Sequence, residues 1–143
     1  MMTMENNLSR WHKHLRGQLE GGLDDLLADD VAFISPIVFT PQKGKDLTKL
    51  YLGAAGNTFS EGNKSSDGAS LSPKFKYTKE VMSGDHMVLE FETELDGKYV
   101  NGVDIITWNE SGKITEFKVM IRPLQAVNIM HQKMMKMLET MKG

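Results

Sequence analysis

The sequence predicts an α+β fold: helices first, then a curved, mainly antiparallel sheet with helices packed on one face. Three observations predict it. Leu8, Trp11, Leu15, Leu19, Leu23, Leu26 and Leu27 recur at helical spacing. Nearly the whole second half alternates as a meander, with turns at "SGD", "LDGK" and "NESGK". A last periodic run follows Pro123, a favoured helix opener.

Taken in order, the first run predicts a long helix and a short second one, divided at the Gly21-Gly22 pair. Asp24 and Asp25 suit the first turn of the second, where the helix dipole favours negative charge. "VAFISPIVF" reads as one or two strands, held to an edge or irregular course by Pro36 and Pro41, because proline cannot donate to a ladder. "KDLTKLYLGAAGNTF" recovers helical periodicity over 45–59. "SEGNKSSDGASLSPK" is rich in Ser, Gly, Asn and Asp and is read as a mobile loop overhanging the interior, without a phosphate-cradling pattern. Strands are expected over 75–82, 86–95, 98–109 and 113–122, and a helix over 124–141.

A chain of 143 residues with no composition shift or repeat is expected to form one domain over 1–143, burying roughly two-thirds of its unfolded surface. The net charge of -2, without concentrated basic residues, gives no reason to expect nucleic acid or an anionic membrane as partner. The absence of cysteine removes disulfides, thiolate metal sites and cysteine nucleophiles together. No apolar run approaches the roughly 20 residues that span a bilayer, and "MMTMENNLSR" lacks a signal-peptide core, so a cytoplasmic location is expected.

One residue sits against its surroundings. Tyr99, Val100, Val103, Ile105, Ile106, Thr107 and Trp108 are what a half-buried strand prefers, yet Asp104 stands among them. Interiors admit a carboxyl only when it is paired or neutral. Alternation on neighbouring strands sets Leu89, Phe91, Thr93 and Leu95 inward, with Glu90, Glu92 and Glu94 outward. It likewise sets Phe117, Val119 and Ile121 inward and Lys118 and Arg122 outward, where they could pair with those glutamates. Asp104 shares a face with Val100, Gly102, Ile106 and Trp108, but both faces of its strand are largely apolar. It is therefore either an inner acid or an outer residue near Lys118 and Arg122. Asn101 and Gly102 could form a bulge that reorients it.

"LLADDVAFISP" followed by "GKDLTKLYL", with "VDIITWNESGKITEF" later, resembles the nuclear transport factor 2-like superfamily, and more narrowly its SnoaL-like branch. The similarity covers about residues 8–122, leaving 124–141 as an added C-terminal helix. It implies a cone-shaped, strongly bent sheet with N-terminal helices on its concave face, enclosing an apolar pocket. Ketosteroid isomerases and polyketide cyclases share that scaffold with non-catalytic binding or dimerisation modules. The "DIITWNESGKI" run resembles the isomerase strand whose aspartate stays protonated and donates to a developing oxyanion. The resemblance therefore favours an inner Asp104 as acid. Its partner there, a tyrosine on the first helix, falls near Trp11. The family's general base aligns with Ser35, a hydroxyl that nothing in "ISP" would activate, so steroid isomerase activity itself is not expected. Limonene-epoxide hydrolases of the superfamily use an Asp–Arg–Asp set, of which Asp104 and Arg122 are the available members.

The expected ligand-binding residues are Trp11, Ser35, Tyr51, Leu89, Phe91, Phe117 and Ile121, with Asp104 as the catalytic acid. Each has a plainer reading: Asp104 as a satisfied structural carboxylate, Tyr51 as a core residue, Ser35 and Thr40 as backbone-satisfying side chains. His12 and His14 stand at i,i+2, on different helix faces, so no metal site is expected; His12 is a modest acid–base candidate. Leu124, Val127, His131, Met134, Leu138 and Met141 form an a/d-type seam, made deformable by methionine, for packing, a homodimer contact, a lid or a partner helix. The expected function is binding of a small, mostly apolar molecule without any cofactor. Isomerase, cyclase or lyase chemistry at Asp104 is one form of it, and a non-catalytic ligand-binding or dimerising module the alternative.

Overall fold

The computed structural model describes residues 3–59 and 74–142. Its elements run α1 (Met4–Leu15), α2 (Gly22–Leu26), β1 (Leu27–Ile34), β2 (Gln42–Lys43), α3 (Lys45–Phe59), β3 (Lys76–Ser83), β4 (His86–Leu95), β5 (Lys98–Trp108), β6 (Ile114–Arg122) and α4 (Leu124–Lys142). The six strands form one open sheet in the order β2-β1-β6-β5-β4-β3. Every neighbouring pair is antiparallel except β1 with β6. This is the α+β architecture the sequence predicts.

The interior follows from strand alternation. On β4, Met87, Leu89, Phe91, Thr93 and Leu95 are buried; on β5, Val100, Gly102, Asp104, Ile106 and Trp108 are. Helices cover that face in two adjoining clusters. Trp11 of α1 and Leu23 and Leu26 of α2 pack with Phe33, Leu89, Ile106 and Phe117. Phe59 of α3 and Ala126, Met130 and Met134 of α4 pack with Phe91, Leu95 and Val100.

Arg10 sets where α1 lies. Its guanidinium donates to the Gly112 carbonyl at 2.7 Å, in the turn between β5 and β6, and to the carbonyl and Oδ2 of Asp25, each at 3.2 Å. The contact with Gly112 joins positions 102 residues apart in sequence. Arg10→Ala is expected to lower stability by about 1.5–3 kcal/mol, the scale for hydrogen bonds to a charged group. Urea unfolding would check this, and an unchanged midpoint would show that α1 is held by packing alone.

Several expectations change. The first helix stops at Leu15, because Gly17 (φ +71°) and then Gly21 (φ +86°) take left-handed conformations that a right-handed helix cannot continue. Strand β1 begins at Leu27, inside the stretch read as helix, and ends at Ile34. No bulge occurs at Asn101–Gly102, which pair in continuous register with Glu92 and Phe91. The irregularity falls between Thr107 and Trp108 instead. The glutamates of β4 find partners on its immediate neighbours: Lys79 Nζ reaches Glu90 at 3.2 Å, and the Tyr99 hydroxyl donates to Glu92 at 2.7 Å. Strand β6, carrying Lys118 and Arg122, lies two strands from β4, and Arg122 is linked to Glu90 through Asn101, which accepts from Arg122 at 3.3 Å and donates to Glu90 at 3.1 Å. On α4 the buried stripe is Ala126, Met130 and Met134, while Leu124 and His131 are exposed. The "SEGNKSSDGAS" loop lies outside the described residues.

Candidate functional site

Asp104 faces inward. Its strand neighbours on the inner face are Gly102 and Ile106, and the facing residues are Leu89 on β4 and Val119 on β6. The residue is 6% exposed. Burial among these apolar groups pushes its carboxyl from the ordinary aspartate range up to about 7, against a hydrogen bond from Tyr77 that favours the ionised form.

That hydrogen bond belongs to a short chain. The Trp11 indole N–H donates to the Tyr77 hydroxyl oxygen at 2.9 Å, and the Tyr77 hydroxyl donates to Asp104 Oδ2 at 2.7 Å. Tyr77 is half-buried as a residue, but its hydroxyl end is enclosed between the other two. Burial, then the neighbouring Asp104 charge, push that phenol well above its ordinary value. With Oδ2 occupied, protonation of Asp104 leaves Oδ1–H as a donor. Each donor in such a chain strengthens the next.

Asp104 and Tyr77 line an apolar cavity of about 70 Å³. Trp11, Phe33, Phe59, Phe75, Phe91 and Phe117 are the aromatic part of its wall, and Met130 and Met134 of α4 also line it. Phe75 stacks on Phe91 at 5.0 Å, and Trp11 tilts against Phe117 at 5.2 Å. A volume of 70 Å³ corresponds to roughly two or three waters, so anything larger enters as the wall yields. The unbranched methionines yield at least cost.

The site residues read from sequence divide as follows. Trp11, Ser35, Phe91, Phe117, Ile121 and Asp104 line the cavity. Trp11, near which the resemblance places the acid's partner, gives its indole N–H to Tyr77, which in turn donates to Asp104. Ser35 accepts from the backbone N–H groups of Ile37 (2.9 Å) and Val38 (3.3 Å), a local turn that ends β1. Tyr51 and Leu89 are not in the wall. Tyr51 stacks behind Phe33 at 5.9 Å, and Leu89 is fully buried in the core beside Asp104. Thr40 is exposed in the loop before β2. His12 is also outside, hydrogen-bonded to Glu80 and edge-on to the Tyr77 ring. Arg122 points to the outer face, where it donates to Asn101 Oδ1 at 3.3 Å, so an Asp–Arg pair with Asp104 does not assemble.

Tyr77, Phe75 and His14 also line the cavity, beyond the residues the sequence points to. "KFKYTK" carried a signal for the first two: Phe75 and Tyr77 alternate with polar residues at period two, which sends both inward.

Several solved structures share this open, mixed α+β sheet wrapped by helices. A steroid delta-isomerase from Pseudomonas aeruginosa superposes with a TM-score of 0.80 at 25% identity, over 95% of this chain and 91% of that one. An uncharacterised protein with a cystatin-like fold from Silicibacter pomeroyi gives 0.74 at 30% identity, over 92% and 84%. A protein from Mesorhizobium loti assigned as a SnoaL-like polyketide cyclase gives 0.52 at 18%, over 83% and 98%, a likeness of fold. Neither a family sequence model nor a curated protein matches the chain. The chain has the nuclear transport factor 2-like fold, which is also the fold of that SnoaL-like protein. No helix among the described residues is long and apolar enough to cross a membrane.

Proposed function

We propose that this chain holds a small, mostly apolar molecule in the interior cavity and polarises one oxygen of it through the neutral Asp104 acid. One observation carries the reading: a carboxyl raised to about 7 lines an aromatic chamber with one oxygen already occupied by Tyr77. A carbonyl or ether oxygen placed against Oδ1–H gains most as negative charge grows on it, which is the basis of isomerase, cyclase or lyase chemistry without a cofactor. The likeness to a steroid delta-isomerase supports this class of chemistry, not that substrate.

The pH dependence supplies the test. A ketone accepts a hydrogen bond from the protonated acid and loses it from the carboxylate. Affinity for a small cyclic ketone such as 2-indanone is therefore expected to fall about tenfold or more as pH rises through about 7. In Asp104→Asn the affinity should be flat across the same range. Calorimetry at several pH values would check this, and an equally flat wild-type profile, or no binding, would sink the proposal. Tyr77→Phe removes the bond that favours ionisation, so it is expected to move the wild-type transition to higher pH, readable in the same titration.

A second reading, a non-catalytic ligand-holding or dimerising module, is favoured by the engagement of Ser35 with backbone where the family's base aligns. Val81, Val88, Tyr99 and Met120 are exposed on the strands, a surface that a homodimer would cover. Native mass spectrometry would decide the oligomeric state and reveal any retained small molecule.

A further inference from the structure

A groove lies directly outside the aromatic wall. Leu15, Phe75 and Tyr77 line both it and the interior cavity, so these side chains have the cavity on one side and the groove on the other. The two spaces differ in chemistry. The cavity is aromatic and encloses about 70 Å³, whereas the groove measures about 320 Å³ and is bordered by His12, Arg16, Lys76 and Glu80. Glu80 is engaged by His12 at 2.5 Å. Arg16, exposed just past the end of α1, uses only its Nε among the described residues, donating to Gln18 at 3.2 Å. Lys76 is exposed between Phe75 and Tyr77 on the edge strand β3, and its ammonium has no partner among the described residues. Two unmatched cations therefore stand beside an apolar chamber, in a chain whose net charge is -2.

We infer that the molecule held by this chain carries a carboxylate at one end, seated in the groove against Arg16 and Lys76, while its apolar body occupies the cavity. The inference rests on the reading of the cavity as the place of an apolar molecule, and it does not require Asp104 to act as an acid. A chamber of about 70 Å³ is smaller than any such molecule, so a ligand that fills it continues past the wall. Tyr77 is pinned by Trp11 and Asp104, which leaves the half-buried Leu15 and Phe75 as the side chains it passes. A carboxylate drawn into the chamber would lose its water with no cation to replace it. In the groove it keeps part of its hydration and gains two positive partners. The planar fork of the Arg16 guanidinium matches both carboxylate oxygens at once, and Lys76 adds a second, flexible charge.

The probes are 4-phenylbutyrate and its neutral counterpart 4-phenylbutyramide, measured by calorimetry at about pH 6, where the carboxyl of the former is ionised. At low ionic strength the acid should bind about fivefold or more tighter than the amide. In the double variant Arg16→Gln, Lys76→Gln that preference should vanish, with the affinity of the amide changed less than about twofold. 2-Indanone should displace both probes, because their apolar ends compete for one cavity. Equal wild-type affinities for acid and amide would overturn the inference, as would a preference that survives in the double variant or an acid that 2-indanone does not displace. In each of those cases binding of 2-indanone by itself still upholds the cavity reading. If neither the amide nor 2-indanone binds, the cavity reading falls and the inference falls with it. Salt gives a second measurement on the wild-type protein alone, independent of whether the double variant folds. About 0.5 M sodium chloride should remove most of the preference, and a preference indifferent to salt would reject the inference.

Discussion

Replacing Asp104 with asparagine is expected to stabilise the fold by about 3–4 kcal/mol above about pH 8, and by almost nothing near pH 4. The unfolded chain ionises this carboxyl at the ordinary aspartate value of 3.8, whereas the folded chain holds its proton to about 7. Below the first value both states are protonated, and Asp104 contributes nothing to the pH dependence. Between the two, the native state binds more protons than the unfolded one, so stability falls as pH rises. Above the second, the native state must carry a buried carboxylate, at a constant cost of about three units at about 1.4 kcal/mol each. Asparagine has nearly the same shape, still accepts from Tyr77, and never ionises. The unmatched second amide hydrogen offsets part of the gain. Urea midpoints of both proteins from about pH 4 to pH 9 would check this, because the difference cancels every other titrating group. A difference that stays constant with pH would mean that Asp104 is not held neutral, and the acid proposed for the site would be gone. A stabilising substitution at such a place is what a functional residue held at the expense of the fold predicts.

The parts of this molecule legible in sequence are those where one chain segment decides its own geometry. Period-two alternation over 86–95 and 98–108 gave both strands and the inward face of Phe91, and the misfit of Asp104 marked the acid. What was lost depended on how segments meet. His12 and His14 differ by about 200° around their helix. Which of them enters the cavity is decided by the docking of α1, fixed by Arg10 onto a turn at Gly112. Nothing local to "RWHKHL" encodes that. The engagement of the Trp11 N–H by Tyr77 is hidden for a related reason, since Tyr77 comes from β3. The separation of Arg122 from Asp104 needed only the period of two. The choice of lysine partners for the β4 glutamates required the strand order. On α4 the buried positions are Ala126 and Met130, each one residue before the expected Val127 and His131, while Leu124, next after Pro123, is exposed.

Gly102 and Phe91 should behave as one unit, with Phe91→Ala costing about 3–5 kcal/mol. Phe91 is 1% exposed, stacks on Phe75, and meets Phe59 edge-on at 5.6 Å. Its ring lies across the backbone of Gly102, its partner on β5. A Cβ built at Gly102 would fall 2.5 Å from Phe91 Cζ and 2.8 Å from the Met120 carbonyl oxygen. Glycine is therefore required by close approach rather than by backbone conformation, and this replaces the bulge as the reason for its place beside Asp104. Gly102→Ala alone should cost about 1–3 kcal/mol by overpacking. In the Phe91→Ala background the ring is absent and only the carbonyl contact remains, so the same substitution should cost at least about 1 kcal/mol less. Denaturant unfolding of the two single variants and the double variant would measure that coupling. Strictly additive costs would show that the methyl group is accommodated by movement of β6 instead of by the ring, and that the aromatic wall beside Asp104 is not set by this glycine.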